Sequence, residues 1–163
     1  MPPKKYKIKV NMAIEYSFIS REKFDQIVEQ HLSSLSEHTD RSVITNELAA
    51  QIIRLIENKF EDNSADRNLV RWSRQFTIRT INGTKFLYKK AYRKHQVELR
   101  VCTREEMYHI FCRMHSSDSG EGHYGQISTW RSPNQQYYFF PQAVSYAAYK
   151  ACSVCCSSGV ISW

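Results

Sequence analysis

A chain of 163 residues with 42% apolar side chains can bury a real core as one ordinary domain or two small ones, which excludes disorder throughout. No run approaches the roughly 18 apolar residues of a spanning helix, and MPPKKYKIKV has no apolar stretch behind its lysines, so neither a membrane partner nor a secretory route is expected. An intracellular protein is the expectation from those two features, the net charge of +7 suits an acidic or phosphate-bearing partner, and an odd set of five cysteines favours free thiols or metal ligands over a disulfide framework.

The charge is unevenly placed. Residues 1–14 carry four lysines and no acid, residues 15–66 hold eleven acids against five bases, and residues 67–100 hold ten bases against Glu98 alone. A basic segment between an acidic and a neutral one is a local positive field that draws phosphate backbones or an acidic protein surface. Its plain alternative is a solvated cationic face.

In chain order, Ser20 predicts an N-cap, with Ile19 and Phe24 as a hydrophobic staple and Phe24, Ile27, Val28, Leu32 and Leu35 at helical spacing. A second amphipathic helix is expected from about Arg41 to Phe60, with Ile44, Leu48, Ile52, Leu55, Ile56 and Phe60 on one side, and Ser64 predicts the cap of a shorter third helix through Ser73. These stripes are core faces and suggest no chemistry. The period then changes. Phe76, Ile78 and Ile81 precede Asn82-Gly83, a pair suited to the positive φ angles of a tight hairpin, and Phe86 and Tyr88 follow. A third strand is predicted over Gln96 to Val101. Lysines and arginines interleave with aromatics across Lys85–Lys94, a pattern that serves phosphate contacts beside stacking surfaces and equally the wet face of an ordinary sheet.

Thr103 and Glu106 predict a capping box for a helix carrying Met107, Ile110, Phe111 and Met114 and ending near His115. Glycines at 120, 122 and 125 permit a tight path around His123. Ser132-Pro133 breaks the chain before the aromatic run Tyr137–Phe140, and Pro141 predicts the start of a helix whose last turn delivers Cys152 and Cys155.

Two imidazoles and two thiols, His115, His123, Cys152 and Cys155, form the donor set of a closed tetrahedral Zn²⁺ site. Cys112 has the same two-residue spacing to His115 as Cys152 has to Cys155, and Cys156 adjoins Cys155, so either is an alternative ligand on spacing alone. Otherwise Cys102 and Cys112 read as small buried hydrophobes, His109 as a surface or packing histidine, and His31, His38 and His95 as solvated. Enzymatic uses of the pair fare poorly. A zinc deaminase needs His-x-Glu and Pro-Cys-x-x-Cys, whereas no such glutamate accompanies either histidine and Ala151 precedes Cys152. A thioredoxin-like site puts its Cys-x-x-Cys at a helix start, and this pair follows one.

From about residue 76 to 156 the order of features resembles the zinc-binding N-terminal domain of retroviral and Ty3/gypsy-type retrotransposon integrases and of host proteins domesticated from them. The likeness rests on the Asn82-Gly83 turn, Phe86-Leu87-Tyr88, the helix ending in His115, Gly122-His123-Tyr124-Gly125, Thr129, Phe140-Pro141 and Cys152-x-x-Cys155. It implies that His115, His123, Cys152 and Cys155 ligate zinc. Phe140 stands where the family usually has tryptophan, and only CSSGVISW follows Cys155, so no catalytic core and no strand-transfer activity are expected.

The expectation is an α+β chain: a basic arm over 1–14, an acidic helical unit over 15–73, an integrase-like zinc-stabilised module of a β-hairpin or three-stranded sheet plus helices over 74–156, and a tail over 157–163. It is expected to be a non-catalytic binder with no small-molecule substrate, located in the nucleus in preference to the cytoplasm. Its partner would be nucleic acid, DNA in preference to RNA, or a nucleoprotein assembly, met through Arg79, Lys85, Lys89, Lys90, Arg93 and Lys94. The alternative is a protein-interaction or self-association adaptor with a structural zinc.

Overall fold

The computed structural model describes residues 16–35, 43–61, 65–116, 123–125, 129–130, 136–138 and 140–157. The basic arm, His38, Ser64 and the Ser132-Pro133 break lie outside the described residues, as does the side chain of Cys156. An α+β fold is present, with six helices and a mixed four-stranded sheet among the described residues. No helix among them is long and apolar enough to cross a membrane.

The first helix, α1 (Arg21–Ser34), begins where the sequence places it: Ser20 Oγ accepts from the Lys23 N–H at 3.1 Å, and Ile19 and Phe24 share one buried cluster. The second, α2 (Asn46–Glu57), is shorter than the span from Arg41 to Phe60. Thr45 is its cap, with Oγ1 accepting from the Leu48 N–H at 3.1 Å, and Ile44 stays off the helix to form a bridge with Thr103. At the other end the chain turns left-handed at Lys59 (φ 52°) and Phe60 (φ 61°). The Phe60 N–H reaches the Leu55 carbonyl at 2.9 Å and the Lys59 N–H that of Ile56 at 3.1 Å, the paired bonds of a Schellman stop. Helix α3 (Arg67–Ser73) is capped by Asp66, whose Oδ1 accepts from the Asn68 N–H at 2.9 Å, in place of the expected Ser64.

Strands β1 (Phe76–Ile81) and β2 (Thr84–Lys89) form the predicted hairpin, with Asn82 and Gly83 at φ 52° and 80°. Strand β3 (Leu99–Val101) is half the expected length, because residues 96–98 leave the ladder and Val97 is 78% exposed. A fourth strand, β4 (Tyr137–Tyr138), arises inside the aromatic run and pairs parallel with β3. The sheet therefore has one strand more than the sequence predicts. One face, bearing Phe76, Leu87 and Val101, packs on Ile44 and Ile52 with Leu69 and Trp72 behind them. The other face carries Arg79, Phe86, Tyr88, Arg100 and Tyr137, the residues in alternate register.

Helix α4 (Arg104–His115) follows β3 directly, and the Glu106 carboxylate accepts from the Thr103 N–H at 3.2 Å, one half of the predicted capping box; the other half is not made, the buried Thr103 Oγ1 having no hydrogen-bond partner among the described residues. Helix α5 (Gln142–Ala151) ends one residue before Cys152, which has extended geometry (φ −64°, ψ 119°), and a short helix α6 (Ser153–Ser157) carries Cys155. The two thiols thus flank a break instead of sharing one helical turn. Small residues on α5, Ser145 and Ala148, are fully buried and let α1 approach closely. Phe24, Ile27 and Val28 of α1 enter one core with Tyr108 and Phe111 of α4 and Val144 of α5. Tyr108 ties that core to the segment before α1: its hydroxyl donates to the Ile19 carbonyl at 2.7 Å and accepts from the Tyr16 N–H at 2.8 Å. Val101 lies in the sheet core and Cys102 in the helical core, so the β3–α4 junction is where the two meet.

Candidate metal centre

The end of α4 supplies His115, fully buried, and the break between α5 and α6 supplies Cys152, also fully buried. His123 reaches them from a segment that bridges back to Ser116, with the Tyr124 N–H donating to the His115 carbonyl at 2.7 Å. The break is fixed from the opposite side, where the Ser153 N–H donates to the Phe18 carbonyl at 2.9 Å. Three sequence-distant segments are thereby anchored by backbone bonds around one point.

At that point one donor atom from each of His115, His123, Cys152 and Cys155 lies within 4.8 Å of all the others. His123 Nδ1 is 3.0 Å from His115 Nε2 and 3.2 Å from Cys152 Sγ, and Cys155 Sγ is 3.4 Å from His115 Nε2 and 3.5 Å from His123 Nδ1. A tetrahedral ion with bonds of about 2.0 Å to nitrogen and about 2.3 Å to sulfur holds its ligand atoms roughly 3.3–3.8 Å apart. These four separations sit at or just below that range, and the remaining two pairs lie within the 4.8 Å bound, close enough for the donor set to hold a metal ion.

The surroundings favour the ligating form. Burial pushes the His115 imidazole down to about 4, His123 beside it pushes the same way, and the Tyr124 backbone opposes them; burial lowers His123 as well. Both rings are neutral at pH 7 with a lone pair to offer. Thr129 Oγ1, 3.1 Å from His115 Nδ1, also lies 2.8 Å from the Gly125 carbonyl. The hydroxyl donates to that carbonyl and accepts from Nδ1–H, a chain that leaves the His115 Nε2 lone pair aimed inward. Phe111 stacks on the His115 ring at 5.3 Å, Phe18 meets His123 edge-on at 4.7 Å, and Tyr149 closes on His115 at 5.5 Å.

Cys112 does not join the cluster. It is a fully buried member of the helical core, with its thiol pushed up by burial, and so is the small apolar residue that the sequence allows. Cys102 behaves likewise. His109 is a packing histidine, 5% exposed, with Nε2 3.3 Å from Arg21 Nη1. His95 is exposed. Phe18 is the site residue that sequence reasoning missed, since nothing local marks a turn residue as the wall of a site built a hundred positions later.

The six cations singled out in the sequence do not share one face. Arg79 lies on the outward face of the sheet, paired with Glu98 and 4.6 Å over the Tyr88 ring. Lys85 is on the opposite face and pairs with Glu57 at the end of α2. Lys89 is half-buried, 4.7 Å over Tyr92 and 5.6 Å over Tyr138, and desolvation lowers its pKa. Lys90, Arg93 and Lys94 are exposed together in the loop after β2 and make no ion pair among the described residues.

Comparison with family models, with curated proteins and with solved structures gives no match.

Proposed function

We propose that His115, His123, Cys152 and Cys155 hold one structural zinc ion, and that the protein is a non-catalytic module binding nucleic acid, DNA in preference to RNA, or a nucleoprotein assembly. The single observation that carries the reading is the convergence of four donor atoms within 4.8 Å, and the resemblance of their order along the chain to that of the integrase-type zinc domain supports it. A two-nitrogen, two-sulfur tetrahedral set suits zinc above the other common divalent ions. With four protein ligands the ion has no position for substrate, so its work is to pin the His123 segment and the α5–α6 break onto α4.

The exposed loop cations Lys90, Arg93 and Lys94 are the phosphate-facing group in this reading, and a nuclear place of action goes with it. Two measurements test it. Purified protein should contain one zinc per chain, and EDTA or Cys152→Ser should lower its melting temperature; metal-free protein with an unchanged melt would remove the centre. Retention on duplex DNA should fall steeply with salt, each phosphate contact contributing about 0.9 to the slope of log affinity against log salt. Reversing the charge of Lys90, Arg93 and Lys94 together should flatten that slope by roughly 2–3.

One observation favours a second reading, a protein-interaction or self-association adaptor. Tyr124 and Val154, next in sequence to ligands or between them, are 51% and 54% exposed. If that reading is right, the triple charge reversal leaves partner binding and oligomeric state untouched, while Tyr124→Ser with Val154→Ser disrupts them.

A further inference from the structure

Between the outward face of the sheet and α4 lies a cavity of about 270 Å³. Phe86 and Tyr137 form its sheet wall, Ile110 and Arg113 its helix wall, and Arg100 with Glu106 crosses between them. Arg100 is 4.2 Å over the Phe86 ring and 5.9 Å over that of Tyr137, and its charge is met by the Glu106 carboxylate. That carboxylate is also the cap of α4, so the pair is structural and electrically neutral. Arg113 is different: it is exposed, makes no ion pair among the described residues, and lies near enough to the Tyr137 phenol to act on it electrostatically. The cavity therefore combines aromatic and guanidinium faces with one positive charge that no acid among the described residues pairs. Flat, apolar-faced and singly anionic is the chemistry that it complements.

We propose that this cavity takes the base of one unpaired nucleotide, stacked on the surface that the Arg100 guanidinium makes with Phe86 and Tyr137, with its phosphodiester held by Arg113. A volume just below the ~300 Å³ at which small-molecule sites begin has room for a single ring system and not for a run of bases. Aromatic side chains accept any base by its π-face, and Arg adds charge to stacking, so recognition here is of an unpaired base and not of a sequence. A base in a duplex is covered on both faces and cannot enter. The proposal rests on the nucleic-acid reading above and adds to it a preference for unpaired over paired strands.

The experiment compares a short labelled single-stranded DNA oligonucleotide with the same sequence as a duplex, using the full zinc-loaded chain at one fixed salt concentration. The single strand is expected to bind about tenfold tighter or more, a factor in line with one stacked base. Arg113→Gln and Phe86→Leu should each lower single-strand binding by about tenfold and leave duplex binding, carried by Lys90, Arg93 and Lys94, unchanged. Should Phe86→Leu melt early, Arg113→Gln, at an exposed position, decides alone. Equal affinity for both forms, or single-strand binding that Arg113→Gln does not alter, overturns the cavity proposal and leaves the duplex reading standing. Single-strand binding that Arg113→Gln weakens, in a protein that never retains duplex, sinks the duplex reading and keeps this one.

Discussion

His115 Nδ1 and Thr129 Oγ1 are 3.1 Å apart at the closed end of the candidate metal centre, both residues fully buried. Thr129 adds no donor to the ligand set. Its hydroxyl has carbonyl acceptors at Gly125 (2.8 Å) and Tyr124 (3.1 Å), which leaves it to accept from Nδ1–H and so favours the tautomer whose Nε2 lone pair faces the cluster.

Thr129→Val keeps the shape and removes the hydroxyl, so the tautomer is no longer fixed. Zinc affinity should fall by roughly 10–100-fold, the usual cost of deleting an outer partner of a metal-bound histidine. Competition with a chromophoric chelator reads it. Affinity equal to wild type would mean that the Thr129 contact has no bearing on the metal.

Acid should dismantle the site from the histidines outward. An unfolded histidine titrates near 6.5, whereas burial and His123 hold His115 down to about 4, and His123 is lowered too. The folded state thus binds fewer protons than the unfolded one between those values, so the stability from neutral imidazoles is fully present above about 6.5 and is lost as pH falls towards 4. Protons also compete with the metal for the same lone pairs, which acts in the same direction. Melting temperature should be flat just above pH 7 and fall through this window, with zinc released over the same range. A melting temperature that stays level from pH 7 to 4 contradicts it.

What the sequence made legible was what local chemistry decides. Ser20, Asn82-Gly83 and Glu106 each act within a few residues of themselves, and α1, the hairpin and α4 begin or turn where those residues stand. The four clustered donors were legible for a related reason: two histidines and a Cys-x-x-Cys pair together supply the donor types and spacing of a metal site. What was hidden depends on distant partners. Two residues of β4 are too short to carry a period of their own and exist as a strand only because β3 lies alongside. The extended backbone at Cys152 is held in part through the Phe18 carbonyl and the Ser153 N–H, a contact between the two ends of the described chain. The opposite faces of Arg79 and Lys85, by contrast, follow from the register of the predicted Asn82-Gly83 hairpin, although the run of cations alone does not display them.

The overextended reading of α2 has a specific cause. Its stop is a Schellman motif with lysine at the left-handed position where glycine is usual, so the sequence carries no stop signal there. Lys59 is exposed and makes no ion pair among the described residues that would offset a φ of 52°. Lys59→Gly should therefore stabilise the protein, by about 0.5–1 kcal/mol, since only the β-carbon clash is removed. Chemical denaturation at neutral pH measures it, and a loss of stability would mean that the strain is not where the backbone puts it.

Phe18 couples the helical core to the candidate metal centre, and its removal should read differently from that of Thr129. The ring is 7% exposed, meets His123 edge-on at 4.7 Å and His115 at 5.6 Å, and packs in the cluster that holds α1 against α4 and α5. Phe18→Ala leaves the backbone carbonyl that accepts from Ser153, so the loss is of packing: about 3–5 kcal/mol by the usual cost of a buried phenylalanine truncated to alanine. Because the core part of that loss does not need the ion, Phe18→Ala should destabilise EDTA-treated protein nearly as much as zinc-loaded protein. Thr129→Val should act mainly on the loaded form. Measuring both variants with and without EDTA separates the two roles, and a Phe18→Ala effect confined to the zinc-loaded protein would place the residue in the metal shell alone.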